Sequence, residues 1–258
     1  MFIYESTPLL IYTCVLTTVF GAVMGSFLNC AAWRIAHKES VVKGRSHCPD
    51  CGHTLGVLDL FPVFSWIFLG GKCRYCKKPI SARYPLTELF MGAMSLLCLL
   101  QEGLGLSFAR DLFLLFCLFT LSLVDLEIYE IPDICLLLPA IAWLLTAPFL
   151  GYSIKTAGMH IAAGLVFGAA ILALSILMDR ILGKESMGGG DIKLFALMGL
   201  YLGFASSLFA LLLSCLIGLV FVAIRKNSKI PFGPSIALAT WVMLLYGGGF
   251  VDWYLSLF

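Results

Sequence analysis

The sequence predicts an all-α polytopic membrane protein with about eight transmembrane helices and a small cytoplasmic zinc-binding insertion after the first helix. Three observations lead there. Of the 258 residues, 60% are hydrophobic and 12% charged, and the mean hydropathy is +0.98, far above that of a soluble domain. Apolar runs long enough to cross a bilayer, about 20 residues each, recur along the chain. A single long polar stretch, roughly 34 to 84, holds two Cys-x-x-Cys pairs.

Taken in order, candidate spans lie at about 7–33, 86–104, 108–125, 134–152, 157–179 and 232–256, with a further apolar run of 31 residues from Leu194 to Ile224. Basic residues mark the cytoplasmic side. Nine of the 17 Lys and Arg fall between Arg34 and Arg83, three between Arg180 and Lys193, and three between Arg225 and Lys229. If all three stretches are inside, the 31-residue run must leave and return, which divides it into two short helices hinged near Gly199 and Gly203. Eight spans with both termini outside result. The first is a retained span rather than an export signal, because Glu5 stands where a basic n-region would be and the first positive charge is Arg34. No internal repeat, low-complexity segment or nucleic-acid-type basic helix stands out, and no nucleic acid partner is expected. The expected domains are 1–33, 34–84 and 85–258: first helix, metal-binding insertion and membrane core.

In the polar stretch, Cys48 and Cys51 form one pair and Cys73 and Cys76 the other, separated by 21 residues. Two such turns supply four thiolates to one tetrahedral zinc. A disulfide reading is weakened by the cytoplasmic placement, and a redox role needs one pair only. An insertion of about 50 residues has little core of its own, so the metal would supply folding free energy. The other six cysteines read as small apolar residues of the spans.

Ionisable groups next to apolar spans are costly and mark interiors or water-filled cavities. The segment "LVDLEIYEIPDICLLL" carries Asp125, Glu127, Glu130 and Asp133 without a Lys or Arg. Asp133, after Pro132 and before an apolar helix, is expected as an N-cap; Glu127 and Glu130 read as solvated. Asp125 ends an apolar helix, where the helix dipole disfavours a carboxylate. Asp191 follows Gly188, Gly189 and Gly190 at the start of another helix and at the same inner boundary. Two carboxyls sharing a site ionise one at a time and can serve as base and acid on a water. The glycines would let the backbone turn sharply and approach a substrate strand or partner helix. Lys193 either tunes the charge of the site or anchors the chain on the positive side. "PFGP" at 231–234 either offers an irregular edge to an extended substrate or punctuates a helix start. Glu88 sits in the first turn after Pro85, where the dipole favours it.

Gly188-Gly189-Gly190-Asp191 fits the Gly-x-Gly-Asp signature of intramembrane aspartyl proteases, and the chain as a whole resembles the type IV prepilin peptidase family. The resemblance runs in order through "GSFLNCAAWR", "RSHCPDCGHTL", "FPVFSWIFLGGKCRYCKKPIS", "RYPLTELFMG", "DLEIYEIPD", "GGGDIKLFALMG" and "PFGPSIALA", and "KGRSHCPDCGHTL" resembles the competence-system branch. It implies a multi-pass endopeptidase of the bacterial cytoplasmic (inner) membrane that cuts the leader from prepilins or pseudopilins after a glycine. It also implies a catalytic pair on Asp125 and Asp191, zinc on Cys48, Cys51, Cys73 and Cys76, and, as in many members, methylation of the new N-terminus with S-adenosylmethionine. The substrate would be held near Gly188, Gly189, Gly190 and Lys193. The alternatives are a membrane transporter, which leaves the zinc insertion unexplained, and a pilus-assembly scaffold, which leaves the aspartates unexplained.

Overall fold

The computed structural model describes residues 7–225 and 231–257; Glu5, Lys226 and Lys229 lie outside them, as does the side chain of Arg225. The chain divides into two compact units, Met1–Leu112 and Phe113–Phe258.

The first unit pairs α1 (Thr7–Ala36) with α3 (Arg83–Glu102). Small residues let the two backbones approach, as in membrane helix pairs generally. A Cβ on Gly25 would lie 2.9 Å from Met91 Cβ, and one on Gly21 would lie 2.7 Å from the Met91 carbonyl oxygen. Asn29 ties the last part of α1 to the start of α3, donating to the Gly25 carbonyl at 3.1 Å and to Thr87 Oγ1. Between the two helices runs the polar segment, with a single 3-10 turn at Val57–Asp59 and one short helix, α2 (Phe64–Phe68).

That segment contains a duplication that the sequence reading did not detect. His47 bridges Thr54 and Lys72 bridges Pro79, each as an isolated antiparallel pair. Within the first turn Cys48 N donates to His53 O at 3.0 Å and Gly52 N to Cys48 O at 2.9 Å; within the second Cys73 N donates to Lys78 O at 2.8 Å and Lys77 N to Cys73 O at 3.0 Å. Gly52 and Lys77 occupy the same place and both adopt the left-handed conformation, with φ of 68° and 61°. The turns are the same device built from "HCPDCGHT" and "KCRYCKKP", whose shared residues are too few to register as a repeat.

The second unit takes in α4 (Leu106–Ile128) from Phe113 onward, then α5 (Ile134–Thr146), α6 (Ile154–Leu182), α7 (Gly189–Arg225) and α8 (Gly233–Leu255). Leu114, Leu121, Trp143, Phe195, Met198 and Ile236 form its centre. α6 begins where Ser153 Oγ accepts from Thr156 N at 3.0 Å and ends at Gly183, whose φ is 65°. One expectation changes here and one is narrowed. The span proposed for 134–152 is a helix of 13 residues, about 20 Å long against a hydrocarbon core of about 30 Å. The 31-residue apolar run lies in α7, which loses helical geometry at Gly203 (φ 70°, ψ −172°); Gly199 instead packs on α6, where a Cβ would lie 2.8 Å from Ala163 O.

Beyond the break, α7 doubles back. Phe232 meets Phe195 with ring centroids 6.1 Å apart, and its ring also lies 2.8 Å from where a Gly218 Cβ would stand. A straight helix would separate residues 195 and 218 by about 34 Å, so only a reversal lets one ring touch both. His160 of α6 stands at the break, its Nδ1 3.0 Å from Leu200 O. Among the described residues, five helices are long and apolar enough to cross a membrane by length and composition: α1, α3, α6, α7 and α8. The protein is a multi-pass membrane protein.

Candidate active site and metal centre

Asp125 lies in the last turn of α4 and is 5% exposed. The dipole of its own helix is unfavourable there, and α8 supplies the compensation: the Gly233 N–H at the start of that helix donates to Asp125 Oδ2 at 2.9 Å. Gly233 was not among the residues singled out from the sequence. For "PFGP" the sequence leaves open an irregular substrate edge or a proline-marked helix start; the segment forms a helix start, with proline in the first turn of α8. A Cβ on Gly233 would lie 2.6 Å from Asp125 Oδ2, so glycine is the residue that lets a helix N-terminus meet this carboxylate.

Asp191 sits in the first turn of α7, with its N–H donating to Gly188 O at 3.1 Å. Its Oδ1 is buried and has no hydrogen-bond partner, an arrangement that native structures keep rare. It also lies close enough to Asp125 for the two carboxyls to interact electrostatically. Ile131 joins the two sides: its side chain is 2.8 Å from where a Gly190 Cβ would stand and 3.3 Å from where a Gly233 Cβ would stand.

The three glycines before Asp191 therefore have different surroundings. None adopts a positive φ; the turn into α7 is closed by the Asp191 N–H on Gly188 O without the left-handed backbone that only glycine favours. Gly190 is needed for the approach to Ile131, a Cβ on Gly188 would lie 3.4 Å from Asp191 Oδ2, and a Cβ on Gly189 would meet nothing within 4 Å. Asp133 also departs from expectation. It occupies the N-cap position of α5 without making a side-chain cap; its carboxylate is drawn instead to Lys193 Nζ at 2.7 Å, both side chains being exposed. Lys193 is thus engaged with Asp133. Glu130 is exposed and Glu127 half-buried.

The first unit carries the second constellation. The sulfurs of Cys48, Cys51, Cys73 and Cys76 all lie within 4.8 Å of one another. Four thiolates around one tetrahedral ion at 2.3 Å stand roughly 3.8 Å apart, and Cys48 Sγ and Cys76 Sγ are 3.9 Å apart. All ten cysteines are free. Backbone N–H groups of Cys76 and Tyr75 point at Cys73 Sγ and bring that thiol down to about 7, towards the thiolate that a metal requires. The four residues can hold a metal ion. Because Gly52 sits at φ 68°, Gly52→Ala is expected to cost about 1–2 kcal/mol. In protein loaded with zinc, it should show as roughly tenfold faster transfer of the ion to a chelator; Lys77→Gly, at the matching position, should not accelerate transfer.

The Bacterial Peptidase A24 N-terminal domain matches residues 19–102, and the Type IV leader peptidase family matches residues 112–223. A protein of Aeromonas hydrophila called Prepilin leader peptidase/N-methyltransferase is 34% identical over 277 residues, covering 94% of each chain. Proteins of the same name from Pseudomonas aeruginosa and Bacillus subtilis are 32% and 31% identical, covering 97% and 93% of this chain and 96% of each of theirs. No solved structure matches the chain.

Proposed function

Since the chain belongs to the type IV leader peptidase family, we propose that it is the endopeptidase that removes the leader of prepilins or pseudopilins, with Asp125 and Asp191 as its catalytic pair. The observation that carries the assignment is the buried, unpartnered Oδ1 of Asp191 beside a carboxylate held from the other side by Gly233. One carboxylate takes a proton from a water placed between them, and the water attacks the scissile carbonyl. The other carboxyl, protonated, donates to the developing oxyanion. Gly233 holds Asp125 Oδ2, which leaves Oδ1 for the water. Leader and scissile bond are placed at the cytoplasmic face of the bacterial inner membrane, near Gly188, Gly189, Gly190 and Lys193.

The cysteine cluster supports a structural zinc: four sulfur donors with tetrahedral spacing are the donor set that zinc prefers. Zinc would join the two turns of the 34–84 domain. The relatives' names include an N-methyltransferase and so support a second, methyl-transfer step; we take its acceptor to be the amine freed by cleavage and its donor to be S-adenosylmethionine, as the family resemblance implies. The test is the intact mass of a prepilin incubated with the detergent-purified protein, with and without S-adenosylmethionine. Loss of the leader supports the peptidase, and a further gain of one methyl group supports the transferase. An unchanged mass contradicts both.

The glycines give a graded prediction. Gly233→Ala and Gly190→Ala push a methyl into Asp125 and Ile131 respectively, and a shift of about 1 Å at a reacting group can cost about a hundredfold. Initial cleavage rates should fall by about that factor in both. Gly189→Ala, with open space around it, should stay within severalfold of the unaltered protein.

A further inference from the structure

Residues 57–68 carry an apolar surface that the first unit leaves uncovered. Val57, Leu58, Phe61, Phe64, Ile67 and Phe68 are all exposed, Phe68 to 83%. Three of the rings form a row. Phe61 and Phe64 have centroids 5.7 Å apart, and Phe64 and Phe68, one turn apart on α2, lie 6.5 Å apart with planes inclined by 25°. The opposite face of α2 packs inward. Trp66 donates through Nε1 to Ile80 O at 3.0 Å, and its ring lies 2.9 Å from where a Gly71 Cβ would stand, which fastens α2 to the residues flanking the second cysteine turn.

One bond fixes where the row of rings lies. The Val63 N–H, between Phe61 and Phe64, donates to a carboxylate oxygen of Glu88 at 2.7 Å, and Glu88 is 6% exposed. Val63 adopts a left-handed conformation, φ 63°, that a β-branched residue rarely takes, and such strain persists only where the surroundings enforce it. Glu88 stands in the second turn of α3, about 8 Å along the axis from Arg83. Because α3 is long and apolar enough to cross a membrane, its exposed Leu86 and Leu89 face lipid. The rings are thereby held level with the lipid-facing part of α3. Charge points the same way: between positions 34 and 84, nine Lys and Arg stand against three acidic residues, Glu39, Asp50 and Asp59. Apolar side chains flanked by cations suit a segment lying in the headgroup boundary of an anionic leaflet, whereas surfaces facing water avoid large apolar patches.

We propose that residues 57–68 lie in the bilayer interface, on the side where the basic residues collect, with Phe61, Phe64 and Phe68 among the acyl chains of anionic phospholipid. Trp66 then ties the second cysteine turn to the membrane surface. The polar segment is held at three points, the end of α1, the start of α3 and this row of rings, instead of hanging from two. Neither cleavage nor methyl transfer is needed for this anchoring.

The test uses the full chain in mixed phosphatidylethanolamine–phosphatidylglycerol vesicles, with the photoreactive analogue p-benzoylphenylalanine in place of Phe61, Phe64 or Phe68, and in place of Leu89 or Leu100 of α3 as lipid-facing references. After irradiation, mass spectrometry of the peptides should show phospholipid adducts at all three phenylalanine positions, as at Leu89. The phosphatidylglycerol share of those adducts should exceed that at Leu100, at the far end of α3, by about fivefold, the worth of one basic residue near an anionic surface. Adducts at Leu89 without any at the three rings, or ring adducts to a second protein chain instead of lipid, would overturn the proposal. An equal phosphatidylglycerol share at the rings and at Leu100 would refute the anionic headgroups. Hydroxyl-radical oxidation of the unaltered protein in the same vesicles needs no substitution. Tyr75, 44% exposed, should be oxidised while the three phenylalanines are protected, and oxidation of all four alike would place the rings in water and sink the idea.

Discussion

Asp125→Asn and Asp191→Asn are each expected to lower prepilin cleavage by about a thousandfold or more. General acid and general base contributions are each worth about 10²–10⁴ in rate, and an amide can neither take the water's proton nor supply one in its place. The substitutions change little else. Asparagine keeps an oxygen that can accept from Gly233 N–H in place of Asp125 Oδ2, and at position 191 it removes a charge from a buried atom that has no partner to lose. Yield and thermal unfolding in detergent should therefore stay close to those of the unaltered protein, and intact-mass measurement of the substrate should show the leader still attached.

The second large effect concerns the cysteines. Cys73→Ser or Cys48→Ser removes a buried thiol from the cluster proposed to hold zinc, and structural zinc sites contribute about 10–16 kcal/mol of apparent binding free energy. The polar segment has little else to hold it. Among its described residues the regular elements are one 3-10 turn and a five-residue helix, and several large apolar side chains, including Phe61, Phe64 and Phe68, are exposed. Elemental analysis should give one zinc per chain before the substitution and much less after it. Limited proteolysis should then cut between residues 37 and 82 while leaving the membrane helices whole. One zinc per chain retained in Cys73→Ser would refute the four-thiolate site.

What the sequence made legible follows from how local each signal is. Asp125 and Asp191 stand out because each interrupts an apolar run, and the four cysteines because their spacing is a property of neighbours in the chain. The helix break was legible too, as a consequence of where positive charges lie, though only contacts distinguish Gly203 from Gly199: one is left-handed and non-helical, the other is pressed against α6. Gly233 was not legible. Its N–H reaches Asp125 across 108 positions, and no periodicity near "FGP" announces that. Asp133 misled for the same reason, because a cap is a local expectation and Lys193, 60 positions away, drew the carboxylate off. Glu88 reads from the sequence as a dipole partner, and the bond it accepts from the Val63 N–H, 25 positions away, gives it a second task.

The central claim is that two carboxyls act as one catalytic unit, and a double-mutant cycle tests it most directly. Initial rates of leader removal from one prepilin would be measured by mass spectrometry for the unaltered protein, Asp125→Asn, Asp191→Asn and the doubly substituted chain. Residues that act as a unit are grossly non-additive, so the double variant should be no slower than the slower single one, all three lying near the uncatalysed rate. Cleavage that persists in either single variant, or losses that multiply in the double one, would contradict a shared aspartate pair.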